Sequence, residues 1–365
     1  MNNTLTDRQI AFILFGIVVG YGIMPMAKNV AEGAGTGGWF TLLIATIISI
    51  IFTYMVTYLG YVHRNKTIYE YSEILVGKFL TKIFMIIYIV YFFLFFTIIV
   101  RMSSEVIRLT ILLKTPVWVL CLLFLIVVYY AVSRGIRTIA RICEIYGLMI
   151  IIFLLIIQIS IFTQGEIVNL KPFFVIDDIK LYISAISTII FPFIGIEILT
   201  VIPFDKKENS KRLFLYNILI IALIGFLYIL VVQSCISVMG VDGIILYKDS
   251  LLATIRRIDI PYLQFFRRLD GIFLPIWIIS LFCTLILAAY GSIFLTGKLF
   301  KKFQHKKIFF IIFTASFIVA QIPRTINDIE KLLDYTSYLG VIVVAPIPIL
   351  LFIATKVKKY DEKSK

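Results

Sequence analysis

Val19-Gly20-Tyr21-Gly22-Ile23-Met24-Pro25 places two glycines and a proline within six positions, in an apolar run that extends from Ile10 to Ala27. Phe191-Pro192-Phe193-Ile194-Gly195-Ile196-Glu197 interrupts a second apolar run in the same way. Proline removes an amide donor and clashes with the carbonyl one turn back. Glycine weakens a helix by up to about 1 kcal/mol relative to alanine. Both stretches therefore read as broken helices with Pro25 and Pro192 as the breakers. Unwound backbone exposes polar groups that lipid cannot satisfy, so it must be buried in protein or line a cavity.

The surrounding sequence puts these breaks in a membrane. Of the 365 residues, 61% are hydrophobic and 15% charged, with mean hydropathy +1.02. Soluble domains are about 45–50% apolar and about 25% charged. That balance excludes a soluble enzyme, a disordered chain and a secreted disulfide scaffold. A span needs about 20 mostly apolar residues. Ten segments meet this: 9–31, 38–61, 82–105, 116–133, 139–163, 180–203, 213–239, 269–296, 306–323 and 333–355. The first reads as a retained span, since Met24-Pro25-Met26-Ala27-Lys28 is no cleavage site for a leader. None alternates as a barrel strand would.

The broken spans are the first and the sixth, so each opens a set of five. Five is odd, so the second set must run with inverted topology. The reading is an all-α polytopic membrane protein with ten transmembrane helices in a 5+5 inverted repeat. Residues 1–163 form the first repeat, 180–355 the second, and 356–365 a short cytoplasmic tail. Matching interruptions in inverted halves point to a binding site near the midplane.

The formal net charge of +14 is distributed unevenly. The N-terminus, the tail and the loops 62–82, 133–141, 204–212 and 297–307 carry 22 of the 35 basic residues, and the opposite loops 13. By the positive-inside rule the first set is cytoplasmic, with both termini. Arg134, Arg137 and Arg141 recur at helical spacing and suit the anionic inner leaflet. Charges divided among short loops do not make a nucleic-acid surface. The stretch 240–268 is the longest loop and has room for a short surface helix or a gate.

Glu197 is the acidic residue set well inside a span. An ionised carboxylate at that depth costs at least about 2.5–3.5 kcal/mol on insertion scales. It therefore calls for a proton, a cation, or donors from water and backbone. Two compatible roles follow: capping the helix that restarts after the break, and a proton-linked or gating role. Tyr88, Tyr91 and Phe95 share one face of the third span, and Trp277, Ser280 and Thr284 one face of the eighth. Arg141 and Glu144 are spaced to pair. Cys121, Cys143, Cys235 and Cys283 lie in apolar runs as packing residues, and His63 and His305 lie in basic loops. No metal site, cofactor or catalytic set is expected, and paired acid–base chemistry would need a second buried carboxylate.

Several motifs, taken in order, resemble those of the B subunits of bacterial spore germinant receptors, the spore germination permeases of the amino acid–polyamine–organocation transporter superfamily. Thr6-Asp7-Arg8-Gln9 precedes the first span, and Gly20-Tyr21-Gly22-Ile23-Met24-Pro25 is similar to that family's first-span run. Gly37-Gly38-Trp39, Thr115-Pro116, Arg134-Gly135, Ala140-Arg141 and Leu170-Lys171-Pro172 follow, then the sixth-span signature Pro192 to Glu197 with Pro203. Phe266-Arg267-Arg268-Leu269-Asp270, with Trp277 and Thr284, completes the series, although Arg267 stands where the family carries glutamate. The resemblance implies a LeuT-like fold and an amino-acid or similar nutrient held between helices 1, 3, 6 and 8. Gly20, Tyr21, Gly22, Tyr91, Phe95, Ile194, Gly195 and Thr284 would form that site, with Glu197 as a proton-linked or gating group. It also implies A-type and lipoprotein C-type partner subunits in the spore inner membrane.

Two functions fit these readings. One is a germinant sensor whose bundle shifts between conformations on ligand binding. The other is a working amino-acid/proton symporter with Glu197 as its protonation site. An intramembrane enzyme and a purely structural assembly subunit are weaker fits.

Overall fold

The computed structural model describes residues 5–20, 22–205, 209–258, 269–301, 303–358 and 360. Among them every regular element is helical. α1 (Asp7–Val18) opens on a capping box, in which Thr6 accepts from the Gln9 amide and the Gln9 side chain accepts from the Thr6 amide. The box satisfies donors that a helix start leaves free. After the first interruption α2 (Met26–Ala34) resumes, and α3 (Gly38–Val62) follows a short 3-10 turn. A second capping box, Thr67 with Glu70, starts the short α4 (Ile68–Val76). α5 (Lys78–Thr110), α6 (Val117–Ser133) and α7 (Ile136–Phe162) come next.

The second interruption is more fragmented than the first. α8 (Ile179–Ser184), α9 (Ile186–Ile189), a 3-10 turn at Phe191–Phe193 and α10 (Ile198–Val201) occupy the segment read as one span at 180–203. α11 (Arg212–Ile245) bends at Gly240 and is followed by α12 (Ser250–Arg257) and α13 (Leu269–Leu299). α14 (His305–Ala320), α15 (Ile326–Val344) and α16 (Pro346–Val357) end the described chain. Pro346 at the first position of α16 accounts for the break between the last two helices.

Among the described residues six helical stretches are long and apolar enough to cross a membrane: Met26–Val62, Lys78–Thr110, Ile136–Phe162, Arg212–Ile245, Leu269–Leu299 and Ile326–Val357. Val117–Ser133 is a shorter apolar helix. Their outward faces carry large apolar side chains, with Ile159 67% and Ile126 56% exposed. Such a surface suits lipid contact. α1 differs, because every residue from Ile10 to Val18 is buried. It packs against α7, α11 and α13, so its first break lies at the centre of the bundle.

Some local expectations are revised. Glu144 pairs with Arg8 at 2.9 Å rather than with Arg141, which ties the N-terminus to α7. His63 is buried at the end of α3, with Nε2 3.1 Å from Thr355 Oγ1, and does not lie free in a loop. The third span, read as ending at 105, continues in α5 to Thr110. Arg101 and Glu105 are buried there, and Glu105 also bonds Arg108. Within 240–268 the expected short helix is α12, but five of its eight residues are buried. It sits on the first break: Ser250 Oγ donates to the Met24 carbonyl at 3.2 Å and accepts from the Lys28 amide at 3.1 Å. All four cysteines are free and buried. Tyr21, Arg267 and residues 361–365 of the tail lie outside the described residues.

Candidate ligand-binding site

The two interrupted segments meet at the bundle centre. Gly22 abuts Pro192 so closely that a Cβ there would lie 2.7 Å from the proline Cβ. A Cβ on Gly20 would lie 2.0 Å from Thr284 Oγ1. These glycines do more than weaken the helix. They let the first break lie flush against the second and against α13. Gly195 has φ +137°, a conformation closed to most L residues, and its α-carbon faces Ile17 and Val18.

Thr284 donates to the Gly16 carbonyl at 2.8 Å, with the Ile17 carbonyl at 3.2 Å. These are carbonyls that α1 loses partners for where it stops. The hydroxyl therefore serves the broken helix in preference to its own, whose Ser280 carbonyl lies at 3.5 Å. Tyr228 of α11 performs the matching task for both breaks. Its hydroxyl is 3.0 Å from the Val18 carbonyl and 3.2 Å from the Pro192 carbonyl. A tyrosine in a long apolar helix gave no sign of this role in the sequence.

Glu197 is fully buried. Its Oε1 accepts from the Tyr91 hydroxyl at 2.7 Å, and Oε2 accepts from the Gly195 amide at 2.9 Å. The carboxylate thus turns back onto the break. It does not cap α10, which has no side-chain cap at its start. No cationic side chain among the described residues bonds it. The Tyr91 ring stacks on Phe95 at 5.8 Å, and Tyr88 is directed elsewhere, donating to the Val343 carbonyl at 2.9 Å.

Two small cavities flank the first break. One is lined by Gly22, Phe95, Pro192, Ile194 and Thr284 among others, and its volume is about 10 Å³. The other is lined by Val19, Ile23, Trp277 and Ser280 among others, again about 10 Å³. Each has room for about one water. Trp277 Nε1 and Ser280 Oγ are buried and have no hydrogen-bond partner among the described residues. Unspent buried donors are costly unless something else uses them. The described residues contain no cluster of three or more metal-binding side chains.

Of the residues anticipated as a site, Gly22, Phe95, Ile194 and Thr284 surround one cavity, with Pro192 beside them. Gly195, Glu197 and Tyr91 form an adjoining hydrogen-bonded group, and Gly20 lies against Thr284. Tyr228 was missed, as was the buried Arg101–Glu105 pair near the far end of α5, with half-buried Arg108 beside it.

A family model described as "Spore germination protein" matches residues 4–329. The chain is 28% identical to spore germination protein YndE of Bacillus subtilis (strain 168), over 98% of each chain. It is 24% identical to spore germination protein B2 of the same organism, over 97% of this chain and 96% of that one. Among solved structures, a Na⁺-coupled sialic acid symporter in a substrate-bound outward-open state superposes with a TM-score of 0.69 at 12% identity, covering 93% of this chain and 77% of that one. At that identity the likeness speaks for a transporter fold alone.

Proposed function

The chain belongs to the spore germination protein family, and on that premise we propose that its interrupted-helix centre recognises a small nutrient germinant such as an amino acid. It is an integral membrane protein of transporter fold. In this reading the helices form a 5+5 inverted repeat of ten spans, residues 1–163 and 180–355, with 356–365 as a cytoplasmic tail. Both termini face the cytoplasm and the membrane is the spore inner membrane. A-type and lipoprotein C-type subunits form the remainder of the receptor.

The observation that carries the proposal is the meeting of both breaks around one buried carboxylate, with Tyr91 and the Gly195 amide as its donors. A zwitterionic ligand finds complementary groups there. Backbone amides at the breaks suit its carboxylate. Glu197 suits its ammonium, and Trp277 and Ser280 offer unspent donors. Gly20 and Gly22 shape the first break, while Phe95 and Ile194 size the ligand side chain. Cavities of about 10 Å³ cannot hold an amino acid. Binding must therefore coincide with an opening of the bundle, and only a ligand that favours the opened form can drive that shift.

The test is germination of spores that depend on this chain, against a panel of twenty L-amino acids. Glu197→Gln and Phe95→Leu are expected to change response or rank order at unchanged protein level. An unaltered response in both would remove the site.

A second reading is an amino-acid/proton symporter in which Glu197 carries the coupled proton. The buried carboxylate, which no cationic side chain bonds among the described residues, favours it. Labelled amino-acid uptake into vesicles separates the two, since concentrative, proton-driven uptake would replace the sensor reading with the symporter.

A further inference from the structure

A crevice of about 670 Å³ lies away from the interrupted helices. It opens on the basic face, where α6 ends, α7 and α14 begin and α13 passes. Arg134, Arg137, His305 and Lys306 line it, and no Asp or Glu does. Both α7 and α14 start there without a side-chain cap. Two helix N-termini thus add their free amides and positive dipole ends to the basic side chains. Arg134 is held over the Tyr130 ring at 4.7 Å and donates to its hydroxyl at 2.9 Å, which positions its charge at the mouth.

The crevice continues as an apolar groove. A second hollow of about 320 Å³ runs between α6 and α14, lined by Leu122, Ile126, Phe313 and Phe317 among others. Tyr129 lines both hollows. Its ring contacts Phe309 in the crevice at 5.8 Å and Phe313 in the groove at 5.2 Å. From Tyr129 to Leu122 the groove descends seven residues of α6, about 10 Å into the bilayer. Its walls face outward, with Ile126 56% and Phe310 70% exposed.

We propose that this composite hollow is a binding site for an anionic phospholipid, with the headgroup phosphate among Arg134, Arg137, His305 and Lys306 and one acyl chain along the α6–α14 groove. Charge complementarity selects the headgroup. The apolar continuation at bilayer depth selects a lipid over a water-soluble acidic partner, which would leave the groove unused. The site locks α6, α13 and α14 together at their basic ends. It is independent of the ligand centre.

The experiment is native mass spectrometry of the full chain purified in detergent, titrated with dioleoyl phosphatidylglycerol and dioleoyl phosphatidylcholine. Phosphatidylglycerol is expected to bind saturably and at least about tenfold more tightly. Each basic side chain near a headgroup is worth about fivefold. The double variant Arg134→Gln/Lys306→Gln should therefore lose about 25-fold in phosphatidylglycerol affinity, while Lys82→Gln, on the same face but outside the crevice, stays at the parent value. Leu122→Trp, which fills the groove, should weaken the dioleoyl lipid and spare a short-chain phosphatidylglycerol. All these positions are solvent- or lipid-facing or half-buried, and the elution profile of each variant reports its folding. Equal retention of the two lipids would overturn the proposal. So would a double variant indistinguishable from Lys82→Gln, or displacement of phosphatidylglycerol by glycerol phosphate or polyglutamate at matched concentration.

Discussion

The Tyr228 hydroxyl lies 3.0 Å from the carbonyl of Val18, the last residue of α1 before the first interruption. The same oxygen is 3.2 Å from the Pro192 carbonyl in the second interruption. One hydroxyl has a single proton to donate, so two broken segments far apart in sequence share one donor from a third helix. That shared donor couples the breaks: whatever separates them must give up one bond or the other.

Replacing Tyr228 by Phe leaves both carbonyls without this donor. Hydrogen bonds between membrane helices average about 0.6 kcal/mol and reach about 1.7. A loss of about 1 kcal/mol in detergent thermal stability is expected. Because the bond favours the closed arrangement of the breaks, the germinant concentration for half-maximal response should fall by a few fold. A rise in that concentration would contradict the coupling.

Glu197 separates into two tests. Glu197→Gln keeps an acceptor for the Tyr91 hydroxyl or the Gly195 amide, and Glu197→Ala keeps neither. A buried donor left unpaired costs about 1–3 kcal/mol. The alanine variant should therefore be clearly less stable than the glutamine variant by thermal unfolding. The glutamine variant should fold normally yet respond poorly to germinant, and a normal response from it would confine Glu197 to a structural role.

Gly20→Ala drives a Cβ to within 2.0 Å of Thr284 Oγ1, and Gly22→Ala drives one to within 2.7 Å of the Pro192 Cβ. Overpacking typically costs about 1–3 kcal/mol. Both substitutions are expected to lower stability and abolish response. Thr284→Ala should partly restore Gly20→Ala, because it removes the nearest clashing atom, and should do nothing for Gly22→Ala. Stability measured across the four combinations checks this.

At the basic face, Lys298 donates to Glu70 at 2.6 Å, joining the end of α13 to α4. Partial burial pushes the Glu70 carboxyl up, but the hydrogen bonds from Lys298 and Thr67 outweigh it and hold it below its ordinary value. A depressed carboxyl stabilises the fold above its unfolded pKa and loses that contribution as pH falls through the folded one. The Glu70 side chain is 33% exposed to solvent screening, so the effect is modest, under about 1 kcal/mol. Glu70→Gln should lower stability at pH 7 and converge with the parent protein in acid. An equal difference at all pH values would remove the ion pair from the account.

How much of this was legible in the sequence differs by residue. The breaks at Gly20–Pro25 and Pro192–Glu197 were visible because proline and glycine act on their own helix, whatever packs around it. The Tyr91–Phe95 face followed from helical spacing. Its bond to Glu197 did not, since spacing along α5 says nothing about what α10 brings opposite. Tyr228 was invisible for the same reason, as one tyrosine in a long apolar helix. Glu105 stood at the edge of its span because its charged neighbours Arg101 and Arg108 mimicked a hydrophilic boundary. They are in fact its helix-mates, one turn to either side. The Thr67–Glu70 capping box opens α4 inside the stretch 62–82 that was read as loop. The crevice beneath Arg134 and Lys306 required the ends of α6, α13 and α14 to converge, which charge counting along the loops registers only as orientation.

The most direct test of the central claim is the germinant rank order in spores carrying Ile194→Ala or Phe95→Leu. Both residues line the cavity between the breaks, and both substitutions enlarge it. Larger side chains among the twenty L-amino acids are expected to gain on smaller ones, at unchanged level of the protein in the membrane. A rank order identical to that of the parent, with only a uniform loss of response, would contradict recognition at the interrupted helices.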